Sequence, residues 1–274
     1  TSLEKLVIPE GIEKIPAYML QSCTDLKEVI LPEGLKEIGI YAFNKASGIR
    51  TLELPDTLTS VGEYALANMT GLTEAEIPEG ITELKHYLFA GCTGMTKITL
   101  PDTLKQIDAY VFQGCTGLAE VTLPDSVTTI GYRAFENCTG LESARISKGL
   151  VSCPGQLGSG WNNACGQIFS GCSKLLRIEL PEEMTLIPAH AFQGSSGLIT
   201  VNIPDTVSTI GEEAFKDCTS LLTAWAGENV ATIGKDAFAN DSKLVLHGIA
   251  GSAAETYAAE NGITFSTEPL AEAE

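Results

Sequence analysis

A chain of 274 residues, 44% of them hydrophobic, can bury a substantial core, which excludes an intrinsically disordered polypeptide. The charge is lopsided: 35 acidic side chains against 17 basic ones give a formal net charge of −18, a balance that repels nucleic-acid phosphates and anionic membranes. No run of about 18 apolar residues occurs, so no spanning helix and no membrane insertion is expected. Thr1 opens inside a repeat without a signal-peptide pattern, which reads as a trimmed or mature chain.

From the first segment onward the chain is periodic. Pro9, Pro32, Pro55, Pro78, Pro101 and Pro124 lie 23 residues apart; Ser147 takes the next place, Pro181 follows 34 residues later, and Pro204 and Gly227 restore the period. Leu20, Phe43, Leu66, Phe89, Phe112, Phe135, Phe169, Phe192, Phe215 and Phe238 keep the same spacing, as do Cys23, Ala46, Met69, Cys92, Cys115, Cys138, Cys172, Ser195, Cys218 and Asp241. Three ladders with one period and one shared interruption define a repeat, L-x-x-V-x-L-P-x-x-L-x-x-I-G-x-x-A-F-x-x-C-x-x.

Within a unit, Val121 and Leu123 flank polar Thr122, the period-two alternation of a half-buried strand that Pro124 ends. Val127 and Ile130 give a second short apolar pair, Gly131 permits a turn, and Ala134, Phe135 and Cys138 suit a single helical or 3₁₀ turn. One unit cannot bury its apolar side alone. Stacking units in register buries it and joins the strands into a parallel sheet. Eleven such strand segments, Leu3 to Leu244, predict a stack of roughly 50 Å at about 4.8 Å per strand.

The seventh unit carries the interruption. Cys153 stands where isoleucine normally stands and Cys165 where the following glycine does, so the inserted residues 154–164 leave from and return to neighbouring positions. A Cys153–Cys165 disulfide closing that loop would contribute roughly 3 kcal/mol in the chain-entropy model; two free thiols are the alternative in a reducing compartment. Within the loop, Trp161 beside Asn162 and Asn163 suits sugar stacking or a protein hot spot, or else Trp161 folds back over the loop's own base.

The chain then divides into the repeat array at 1–249, a capping unit at 250–265 and a tail at 266–274. In the capping unit Ser252 and Glu255 form a capping box, an alanine-rich stretch makes a helix, and Gly262 ends it. The I-P, I-G, A-F and C landmarks, together with this closing unit, resemble the BspA-like, or treponemal-type, leucine-rich repeat family of bacterial surface proteins over Leu3 to Phe265. The resemblance implies a leucine-rich-repeat solenoid of parallel stacked short strands, curved as a right-handed superhelix with a C-terminal cap. It also implies a secreted or surface-anchored role, an analogy of fold that does not by itself fix function.

The repeat sorts the remaining chemistry. A slot that accepts Ala46, Met69 and Ser195 as well as cysteine is a small buried slot, so the ladder thiols are expected to be inert. His86, His190 and His247 fall in separate units without a metal or triad pattern, and no H-E-x-x-H, G-x-S-x-G or phosphate-loop motif occurs. No enzyme activity, metal or cofactor is therefore expected. The sequons at Asn68, Asn137 and Asn240 recur with the repeat and carry no separate signal. What varies is the outward position of the first strand: Val7, Ile30, Glu53, Glu76, Thr99, Thr122, Arg145, Glu179, Asn202 and Trp225, with Leu176, Ile199 and Leu222 beside the last members. Such a ladder suits an extended ligand, though β-propensity alone also favours threonine and branched residues on an exposed sheet. The expectation is a monomeric extracellular or surface-anchored module that recognises a host or bacterial surface protein or glycan through the strand face or the inserted loop. A structural spacer presenting other domains is the competing reading.

Overall fold

The computed structural model describes residues 3–150 and 166–269. The solenoid expected from the repeat is the fold observed. Three-residue strands such as Glu120–Thr122 and Ser143–Arg145 stack in parallel, each paired with the residues one period later, as in Val121 with Ala144. The inserted residues do not disturb the register, because Ser143–Arg145 pairs directly with Arg177–Glu179. A second ladder of two-residue strands, such as Gln106–Ile107 and Thr129–Ile130, runs parallel along another face. The alternation explains the burial: in Glu120–Thr122 the central valine is buried and its neighbours are exposed.

The first-strand sheet is nevertheless not continuous. It divides into blocks, with breaks between Lys97–Thr99 and Glu120–Thr122 and between Arg177–Glu179 and Thr200–Asn202. Residues 51–54 form no strand at all between Glu28–Ile30 and Glu74–Glu76, so one expected strand segment is absent.

In place of the single helical or 3₁₀ turn expected, the third side of each unit is a run of separate turns. Alternate N–H groups close local turns, Ala134 to Gly131 O, Glu136 to Arg133 O and Cys138 to Phe135 O. The intervening donors leave the unit: Arg133 N–H reaches Gly166 O, Phe135 N–H reaches Ile168 O and Asn137 N–H reaches Ser170 O. A helix would need those donors for itself, and the neighbouring unit takes them. The geometry requires left-handed backbone at Arg133 (φ 56°) and Asn137 (φ 58°), a conformation of limited stability for residues with a Cβ that the surrounding bonds over-determine. The outgoing bonds form three parallel spines, since the peptide that accepts from one unit donates to the next.

Inside, Phe43, Phe89, Phe112, Phe135, Phe169, Phe192, Phe215 and Phe238 are buried. From Phe89 to Phe112 and from there through Phe238 consecutive rings stack with centroids 4.9–5.8 Å apart. The units also approach closely at the loop before the first strand, where a Cβ on Gly140 would lie 2.2 Å from Thr116 O. The stack closes on one helix, α1 (Ala253–Asn261), whose N-cap Ser252 accepts from Glu255 N–H while Glu255 accepts from Gly251 N–H. Tyr257 of this helix meets Phe238 edge-on, and its hydroxyl accepts the Phe238 N–H at 3.2 Å, ending the central spine. The strand Thr264–Ser266 then pairs with Val245–His247.

Candidate functional site

The first-strand face carries two outward columns. One is the column read from the sequence. Val7 pairs with Ile30, Glu76 with Thr99, Thr122 with Arg145, Arg145 with Glu179, and Asn202 with Trp225. The other lies two residues earlier on each strand and includes Lys5, Glu28, Glu74, Lys97, Glu120, Arg177, Thr200 and Thr223. Sequence reasoning missed this second column, although the alternation that exposes one flank of the buried residue exposes both.

The breaks in the sheet turn part of this face into a groove. A cleft of about 650 Å³ is lined by Glu53, Asp56, Glu74, Glu76, Glu79, Lys97, Thr99 and Asp102. A second of about 660 Å³ shares Lys97, Thr99 and Asp102 and continues to Glu120, Thr122, Asp125 and Arg145. Five of the sequence candidates, Glu53, Glu76, Thr99, Thr122 and Arg145, are thereby brought together. Glu179, Asn202 and Trp225 lie further along the same face, with Trp225 half-buried and in register with His247. Trp161, Asn162, Asn163, Cys153 and Cys165 lie outside the described residues.

The two ends of the groove differ electrically. Arg145 is committed within the chain: its guanidinium donates to Asp125 Oδ1 at 2.9 Å and to Leu123 O at 3.4 Å. The Lys148 backbone N–H and then this guanidinium hold the Asp125 carboxyl below its ordinary range. At the other end, Glu53, Asp56, Glu74, Glu76, Glu79 and Asp102 make no ion pair with a described residue, and Lys97 is the one cation in that cleft. These carboxylates face water with their charge uncompensated.

The ladder cysteines are placed for packing. Cys92, Cys115, Cys138, Cys172 and Cys218 are fully buried, and Cys23 is half-buried at the first unit. The thiols of Cys92, Cys115 and Cys138 donate to Leu66 O, Phe89 O and Phe112 O at 3.1–3.2 Å. Burial pushes the Cys92 and Cys138 thiols up to about 12, away from the thiolate form that reactivity needs. Among the described residues no group of three or more His, Cys, Asp or Glu side chains is arranged to hold a metal ion. No helix among them is long and apolar enough to cross a membrane.

A further surface feature escaped the sequence reading. Tyr18, Tyr41, Tyr64, Tyr87 and Tyr110 share the 23-residue spacing, all with left-handed φ. Their rings form a stacked column with centroids 5.2, 4.5, 4.4 and 4.4 Å apart. Each ring covers its neighbour's face, so the column presents edges rather than open aromatic platforms.

The chain matches the BspA type leucine-rich repeat region over residues 1–118, 82–157 and 156–254. No curated protein matches it. Among solved structures, a leucine-rich repeat protein of Bacteroides ovatus is 25% identical, with 94% of this chain and 76% of that one covered and a TM-score of 0.56. A leucine-rich repeat protein of Eubacterium ventriosum is 17% identical over 87% and 82% of the two chains, with a TM-score of 0.54. A leucine-rich cell surface protein of Faecalibacterium prausnitzii is 21% identical over 97% and 92%, with a TM-score of 0.49. The repeat, its strand ladders and this match over nearly all of the sequence place the chain in the BspA-type leucine-rich repeat family.

Proposed function

We propose that the chain is a non-enzymatic recognition module, held outside the cell or on its surface, that binds a basic protein segment along the first-strand groove. One observation carries the reading: Glu53, Glu74 and Glu76 project from adjacent units into an open groove without an ion-pair partner among the described residues. Such a row attracts lysine and arginine side chains and speeds encounter with a cationic partner. A glycan ligand is the second reading, favoured by half-buried Trp225, with Asn202 in register beside it, an aromatic face with a hydrogen-bonding neighbour.

The test is an array of surface and matrix proteins and of glycans, probed with the chain and with E53K/E76K, W225A and W161A variants. Loss of binding to basic proteins in E53K/E76K, and at raised salt, supports the groove. Glycan binding lost in W225A moves the site along the face. Loss confined to W161A moves it to the inserted loop. Absence of any binding leaves the spacer role and overturns the proposal.

A further inference from the structure

The slot that cysteine fills in most units is filled by aspartate in the last. Asp241 is 5% exposed, and neither carboxylate oxygen has a hydrogen-bond partner. In the three units directly below, the slot is filled by proton donors, whereas Ala46 and Met69 of the early units bring no polar atom that needs a partner. Cys218 donates to Phe192 O at 3.2 Å, Ser195 to Phe169 O at 2.9 Å and Cys172 to Phe135 O at 3.2 Å, each to the phenylalanine of the preceding unit. For residue 241 the corresponding acceptor is Phe215 O, which receives the Cys218 N–H and retains a second lone pair. A carboxylate has nothing to donate there, whereas a carboxylic acid has an O–H in the place of the thiol.

We propose that Asp241 is held as a neutral acid that completes the donor ladder through Phe215 O, and that loss of this proton loosens the final repeat from the capping helix. The surroundings agree. Burial pushes the Asp241 carboxyl up to about 8; the Cys218 backbone N–H, whose formed hydrogen bond goes to Phe215 O, lowers it only in part, and the Asp217 carboxylate adds to the rise. The groups that face it are acidic or neutral: Asp217 and Cys218 on the unit below and Tyr257 on α1, with Asp236 close to Tyr257. None supplies a positive charge. The turn that bears Asp241 lines a cavity of about 380 Å³ together with Tyr257, Asn261 and Ile263 of the cap, so a charge on Asp241 falls at the seam between the last repeat and the closing element. Between the ordinary aspartate value near 4 and about 8, the folded chain keeps a proton that the unfolded chain has released. The Asp241 contribution is therefore complete in acid, falls as pH rises through that window, and levels off above it. The cap is a clasp that acid tightens.

Urea unfolding of the wild-type chain and of D241S, the residue that serves as donor at position 195, tests this at pH 5, 6, 7 and 8. The folding equilibrium of the wild type relative to D241S is expected to fall by about tenfold per pH unit, on the order of 100-fold between pH 5 and 7. Parallel pH profiles for the two proteins would overturn the proposal. A carbon-13 titration of the Asp241 carboxyl in the wild-type chain gives an answer that does not depend on the variant folding. A midpoint far above those of exposed aspartates supports the neutral acid, and a midpoint in the ordinary carboxylate range refutes it.

Discussion

Replacing Phe135 measures how the core distributes its stability. The ring is fully buried and stacked on both sides, with centroids 4.9 Å from Phe112 and 5.2 Å from Phe169, each pair inclined by 13°. Truncation to alanine removes the transfer free energy of the ring and leaves a cavity that the rigid turns on either side cannot close, at about 3–5 kcal/mol. Leucine is a different perturbation, because Leu66 already occupies this position in another unit and is buried there. Phe135→Leu keeps most of the volume and loses chiefly two ring pairs, worth about 0.5–1.5 kcal/mol each, so a cost of about 1–3 kcal/mol is expected. Urea unfolding followed by circular dichroism resolves the two values. In an array where each unit contacts only its neighbours, the alanine variant is also expected to broaden the transition as coupling across the sixth unit weakens. If leucine costs as much as alanine, the slot depends on aromaticity and not on volume. If alanine costs under about 1 kcal/mol, the stack adapts around the loss. Either result refutes the reasoning.

Other expectations follow from the same geometry. Tyr257→Phe leaves the buried Phe238 N–H without its acceptor and should destabilise the chain by about 1–3 kcal/mol, read as a lower urea midpoint; no change would mean another acceptor reaches that N–H. In a chain with Cys153 and Cys165 replaced by serine, native-state alkylation followed by mass spectrometry should label Cys23 alone, since the other ladder thiols are buried; rapid labelling of Cys115 would refute this. Burial first, then the neighbouring phenols, raises the pKa of Tyr64 and Tyr87, and burial raises that of Tyr110. The folded chain thus holds protons that the unfolded chain releases near pH 10, and stability should drop as pH climbs from there, with tyrosinate absorbance rising together with unfolding. Tyrosinate absorbance that reaches its full seven-residue value near pH 10 in a chain still folded would contradict the buried phenols.

Most of the architecture was legible because stacking forces one side-chain role onto one position in every unit. The prolines, phenylalanines and small slot residues report the same 23-residue period, and the shift from Phe135 to Phe169 located the insertion without displacing the strand register. The groove was not legible. Thr51-Leu52-Glu53-Leu54 has the same alternation as the paired segments yet forms no strand, a difference the alternation does not carry. The spacing of Ala134, Phe135 and Cys138, which suits a helical or 3₁₀ turn, records which side chains face inward and not where the intervening N–H groups go. The tyrosine column was visible at the right spacing, yet a tyrosine among polar residues reads as ordinary surface until its left-handed backbone is known. Asp241 falls in line with the cysteines, but alignment alone does not say that a buried polar group in this slot needs a proton to donate.

The three spines have an electrical consequence. Every outgoing N–H on that side of the solenoid, from Tyr18 to Glu213, from Leu20 to Phe215 and from Ser22 to Asp217, points toward the following unit, and the peptide that accepts it donates onward. Rows of peptide dipoles joined head to tail add, as they do along an α-helix, and polarise one another. The body therefore carries a positive pole at the Phe238 end and a negative pole at the Tyr18 end before any side chain is charged. Lengthening the array by a unit extends that axis without reversing it, and the phenol of Tyr257 sits where its positive end would otherwise meet solvent.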